Sequence, residues 1–136
     1  MDYLKENIAD VRIISVNLER ASFLEAKDFQ TVLEFEIEQG GKNLVIDLSN
    51  CKYIDSVFLG SIILSLRKLV SKEGNIKLVK PSFPEINIDS LNSFRIFDIF
   101  EDKNQALKSF NKVSIPLPER FIFFNKNSQA KKFYSN

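Results

Sequence analysis

The sequence predicts an α/β fold, with a mixed but mostly parallel β-sheet of four to five strands and helices packed mainly on one face. Three observations point there. Short β-branched runs alternate with segments of helical periodicity, the order that right-handed β-α-β crossovers produce. One run, LVIDL at residues 44–48, is almost continuously apolar, as in a strand buried on both faces. Residues 56–73 place Leu59, Ile62, Ile63, Leu66, Leu69 and Val70 at helical spacing, as a stripe that faces a core.

In order, VRIISVNL at 11–18 reads as a strand, with a second short strand at about 20–23. From 24 to 39, Phe29, Val32, Leu33 and Ile37 recur at helical spacing, and Gly40-Gly41 stops that helix. Glu34, Glu36 and Glu38 belong to its solvated face. The strand at 44–48 follows, then the loop SNCKYIDS and the helix at 56–73, with Ser61, Ser65, Lys68 and Lys72 on its wet side. Gly74-Asn75 closes this helix, and IKLV at 76–79 is the next strand. Pro81 and Pro84 mark a loop. A short helix at 86–94, a strand at 97–100 (FDIF) and a helix at 102–110 capped by Asp102 complete the pattern.

Composition narrows the function classes. A chain of 136 residues with 44% hydrophobic and 27% charged residues is an ordinary globular balance. No apolar run approaches the roughly 20 residues that span a bilayer, so no membrane partner is expected. The start, MDYLKENIAD, has no apolar h-region, and a cytoplasmic protein is the expectation. There is no histidine and a single cysteine, Cys51, which removes Ser-His-Asp and Cys-His nucleophile systems and cysteine metal cages. No catalytic residue, metal or cofactor is assigned. The net charge of +1 argues against direct nucleic-acid binding. That charge is uneven: Lys112, Arg120, Lys126, Lys131 and Lys132 against Glu119 give residues 111–136 a net +4, which leaves the first 110 residues at −3.

The segment IDSVFLGS at 54–61 is where the chain looks functional. Asp55 and Ser56 fall where a loop becomes a helix, and either can cap the exposed N–H groups there. A plain cap explains both residues. The other reading is an anion site, where free N–H groups and the positive helix end would favour a phosphate on Ser56.

From about residue 8 to 110 the chain resembles STAS domains of the bacterial anti-sigma factor antagonist type. The matching run is NLVIDLSNCKYIDSVFLGSIILSLRKLVSKEGNIKLVKPS, residues 43–82: a buried strand ending in D-L-S, an aliphatic-D-S step, L-G, an amphipathic helix, a glycine-terminated turn and another strand. IFDIFEDKNQAL at 96–107 resembles the family's last short strand and helix. The resemblance implies a single STAS-like domain over residues 1–110, followed by a basic, aromatic extension at 111–136. It also implies partner switching: a GHKL-type anti-sigma factor serine kinase phosphorylates Ser56, and a PP2C-type phosphatase reverses it. The unphosphorylated form binds the kinase and frees a sigma factor or other client. Asp55, Ser56, Val57, Phe58, Ser61 and Ser65 are the implied partner-binding residues. Where the family reads D-S-S/T-G-L-G, this chain has Asp55-Ser56-Val57-Phe58-Leu59-Gly60. Helical spacing puts Val57 nearly opposite the core stripe and Phe58 at its border, where the ring would stand in the way of a close partner.

Asp47, at the end of a buried strand, is expected to orient the loop that leads to Ser56. Cys51 reads as a small buried or loop residue. FIFF at 121–124 is apolar for a tail and would pack on its own domain or hold a homodimer. Two rivals stand beside the switch: a non-cycling scaffold assembled through residues 111–136, and a small α/β enzyme using Asp47 and Asp55. Burial of Ser56 would defeat the switch, and a deep pocket lined by the two aspartates would revive the enzyme.

Overall fold

The computed structural model describes residues 2–82 and 95–111. Its chain divides into residues 1–106, whose architecture follows, and residues 107–136, of which the described part is the end of the last helix. The elements are β1 (Tyr3–Ile8), β2 (Val11–Val16), β3 (Arg20–Ala21), α1 (Phe23–Glu38), β4 (Asn43–Asp47), β5 (Tyr53–Ile54), α2 (Ser56–Ser71), β6 (Asn75–Val79), β7 (Asp98–Phe100) and α3 (Lys103–Asn111). Five strands form one sheet in the order β1-β2-β4-β6-β7, with β1 antiparallel to β2 and every other pairing parallel. The α/β class and the mixed, mostly parallel sheet are as the sequence predicts.

β1 has no counterpart in the sequence reading. YLKENI is charged and poor in β-branched residues, but as an edge strand it needs one partner, and a two-residue turn at Ala9-Asp10 supplies β2. Ala9 has φ 53° in that turn. β5, at Tyr53–Ile54, falls in the segment read as a loop, whereas β2, β4 and β6 follow the apolar runs because they bury side chains on both faces.

Alternation sorts those side chains. Ile14, Val16, Leu44, Ile46, Ile76 and Leu78 face α1 and α2, where they meet Phe29, Leu33 and Ile37 of α1 and Leu59, Ile62, Leu66 and Leu69 of α2. Val11, Ile13, Val45 and Val79 are buried on the opposite face. Lys103, at the start of α3, pairs there with Glu6 at 2.8 Å. Asp102 caps α3 as expected, accepting from the Gln105 N–H at 2.9 Å.

Three expectations about faces are corrected. Ser61 and Ser65 are 5% and 1% exposed, not on a wet side, because α2 packs against α1 as well as against the sheet. Small side chains suit that close flank, and each hydroxyl donates within its own helix, to the carbonyls of Phe58 and Ser61. Val70, assigned to the core stripe, is exposed, since the buried face of α2 ends at Leu69. Glu36, assigned to a solvated face, is buried because the β1–β2 hairpin brings Lys5 and Arg12 against it at 2.9 and 3.0 Å. The short helix at 86–94 and the FIFF segment lie outside the described residues, as does all but the first residue of the 111–136 extension.

Candidate functional site

The N-terminal ends of α1 and α2 are held side by side by the two-residue parallel ladder of β3 and β5, in which Arg20 pairs with Tyr53 and Ala21 with Ile54. The backbone N–H groups of Lys52 and Tyr53 donate to the Glu19 carbonyl, and that of Asp55 to the Ala21 carbonyl at 3.1 Å. Neither short strand would form alone. Together they fix where each helix begins.

α1 starts with a capping box. Ser22 Oγ accepts from the Leu24 N–H, and the Glu25 carboxylate accepts from the Ser22 N–H at 2.9 Å. α2 is capped by Asp55, whose Oδ1 accepts from the Phe58 N–H at 2.8 Å. The other oxygen, Oδ2, crosses to α1 and accepts from the Phe23 N–H at 2.9 Å. One carboxylate therefore closes the first turns of both helices. The choice between Asp55 and Ser56 as the cap is resolved in favour of Asp55. Ser56 is the first helical residue and is exposed, so its hydroxyl is left to solvent beside two positive helix ends.

Of the residues assigned to partner binding, Asp55, Ser56 and Val57 are gathered at this surface, and Val57 is 54% exposed. Phe58 is not. Its side chain is fully buried, stacked on Phe29 with ring centroids 4.9 Å apart and planes 13° apart. Tyr3 in turn lies 5.0 Å from Phe29. The ring expected to obstruct a partner instead joins the core, because the two helices leave room for an aromatic pair between their first turns. Ser61 and Ser65, buried between the helices, cannot offer side chains to a partner either.

The surface also holds residues that the sequence reading missed. Phe23, Leu24 and Tyr53 are exposed beside the two caps, and the Arg20 guanidinium stands 4.2 Å from the Tyr53 ring centroid. Phe23 and Leu24 precede the first buried residue of α1, Ala26, and an apolar pair directly after a cap residue was the available signal.

Asp47 bonds the backbone at the beginning of the loop that leads to Ser56: its Oδ1 accepts from the Ser49 N–H at 3.0 Å, an Asx turn. Cys51 is buried, with Sγ 3.9 Å from the Val16 carbonyl oxygen. Burial, and then the Asp47 charge, push its thiol up to about 12, far from a reactive thiolate. The two aspartates proposed for an enzyme thus serve separate backbone N–H groups. An open pocket among the described residues, between the β1–β2 turn and the end of α1 near Asp10, Arg12 and Lys42, is lined by neither of them. Among the described residues no cluster of His, Cys, Asp or Glu is placed to hold a metal ion, and no helix is long and apolar enough to cross a membrane.

Comparison with solved structures finds the same fold repeatedly. A Thermotoga maritima protein assigned as an anti-sigma factor antagonist is 24% identical, with a TM-score of 0.70 over 80% of this chain and 94% of that one. An anti-sigma factor antagonist from Mycobacterium paratuberculosis is 21% identical, with a TM-score of 0.67 over 80% and 92%. The Bacillus cell fate determinant SpoIIAA in its phosphorylated form is 16% identical, with a TM-score of 0.60 over 82% and 98%. No protein of curated function matches this sequence. The STAS domain pattern matches residues 4–106, which covers the sheet, both capped helices and Ser56, and the chain belongs to the STAS domain family.

Proposed function

We propose that this chain is a phospho-regulated protein-binding switch of the anti-sigma factor antagonist type, non-catalytic and cytoplasmic, with Ser56 as the switch residue. The observation that carries the reading is the division of labour at the start of α2. Asp55 performs the capping, so Ser56 has no structural duty and stands exposed. Asp55 and Val57 are its neighbours on the docking surface. The likeness to anti-sigma factor antagonists, one of them solved in a phosphorylated form, supports the same reading.

A GHKL-type serine kinase binds the unphosphorylated form. Ser56 Oγ attacks the γ-phosphorus of the kinase's ATP, its proton leaves, and ADP departs. A PP2C-type phosphatase hydrolyses the new P–O bond to return serine and inorganic phosphate. The phosphoserine carries about −1.5 to −2 charges at neutral pH, which two helix N-termini can tolerate. The helix ends offset its repulsion with the neighbouring Asp55 carboxylate, so the added charge does not melt the first turn of α2. It acts on the docked partner by repulsion and bulk.

The test is a pull-down with wild type, Ser56→Ala and Ser56→Asp, with the captured proteins identified by mass spectrometry. Wild type and Ser56→Ala should retain a GHKL-type kinase that Ser56→Asp loses. Identical partners for all three would leave the scaffold reading, with assembly through residues 111–136.

A further inference from the structure

The chain has four glycines, and three have a reason inside the protein. Gly40 sits at φ +96°, where other side chains are strained. A Cβ on Gly41 would stand 2.8 Å from the Glu36 carbonyl oxygen, and one on Gly74 would collide with the carbonyl oxygen of Lys42. Gly60 is different. It lies inside α2, where glycine is the poorest helix former after proline, and among the described residues a Cβ built there meets nothing within 4 Å. Packing among the described residues gives no reason for it.

Its position does. The buried residues of α2 are Phe58, Leu59, Ser61, Ile62, Ser65, Leu66 and Leu69, and at about 100° per residue Gly60 falls opposite the middle of that set. It is thus at the centre of the outward face, one turn after Ser56, between Val57 and Leu64, which are 54% and 47% exposed. From Ser56 to Leu66 the helix carries no charged residue, and then Arg67, Lys68 and Lys72 follow. Lys68 is drawn towards α1 by Glu34 at 2.9 Å, while Arg67 is exposed on the outward side. An apolar strip with a bare centre and a basic end is a shape and charge pattern for a second protein surface.

We propose that Gly60 is the point of closest approach for the protein that reads Ser56. That partner lies along the outward face of α2, over Val57, Gly60 and Leu64. It seats backbone or a small apolar side chain against the bare helix and directs an acidic group to Arg67. The proposal rests on the Ser56 reading and adds the footprint. It also gives Gly60 opposite effects in the free and bound states: a methyl group there improves the helix and obstructs the partner.

The probe is the purified GHKL-type serine kinase domain from the source cell, titrated calorimetrically into the full chain and its variants, with a thermal melt of each variant alone. Gly60→Ala should raise the melting temperature by about 3–6 °C. The same variant should weaken kinase binding by about tenfold or more. Leu64→Gln should also weaken binding while leaving the melt nearly unchanged. If Ser56→Asp loses the kinase while Gly60→Ala binds like wild type, the footprint is wrong and the switch stands. If Ser56→Asp binds like wild type, or no kinase binds the wild-type chain, the Ser56 reading fails and the footprint fails with it. A lowered melting temperature for Gly60→Ala would reveal an internal role for the glycine and overturn the proposal.

Discussion

The two ends of α1 carry similar groups and use them differently. At the C-terminal end the Glu36 carboxylate is buried and held by Lys5 at 2.9 Å and Arg12 at 3.0 Å. Arg12 also donates to the carbonyls of Glu36 and Gln39, acceptors that the helix leaves open there. Charge and helix end are matched within the chain. At the N-terminal end Asp55 does the comparable matching for two helices at once, yet the adjoining Ser56 hydroxyl is exposed and stands outside the cap. The difference is instructive. A polar group whose bonds are all made in folding explains its own presence, whereas the Ser56 hydroxyl is exposed beside a cap that Asp55 already completes.

Substitutions can separate the two kinds of residue. The largest effect is expected beneath Ser56 rather than at it: Phe58→Ala removes a fully buried ring from its stack with Phe29 and should cost about 3–5 kcal/mol by urea unfolding. A loss below about 1 kcal/mol would mean that the ring is not core. Glu36→Ala should come next, at about 2–3 kcal/mol, less than a fully buried pair because Lys5 and Arg12 are partly solvated. This variant should keep its kinase affinity once allowance is made for unfolding, and selective loss of binding would erase the distinction between the ends. Asp55→Ala should cost about 1–2 kcal/mol for the lost cap, with faster hydrogen exchange at both the Phe58 and Phe23 amides. Protection lost at Phe58 alone would show that the bond across to α1 is not made in solution.

Much of the fold can be read from sequence because its signals are local. LVIDL is apolar on both pleats because β4 lies between β2 and β6. Leu59, Ile62, Leu66 and Leu69 repeat at the helical period because one side of α2 covers the sheet. What escaped depends on neighbours distant in the chain. β1 is a strand because β2 pairs with it, and β5 because β3 does. Ser61 and Ser65 are buried by α1, and Glu36 by two residues of a hairpin, neither of which leaves a mark on helical periodicity. At the candidate site, the D-S step marked where α2 begins. It could not say that Asp55 alone would be the cap, or that Phe58 would turn inward.

The exposure of Ser56 matters only if the residue is modified. The decisive measurement is phosphosite mapping by mass spectrometry on the native protein, isolated with phosphatase inhibitors from cells in several growth states. A single phosphate on Ser56, its occupancy changing between states, is the expected result. Ser56 unmodified in every state, or phosphate on a different hydroxyl, would contradict the switch.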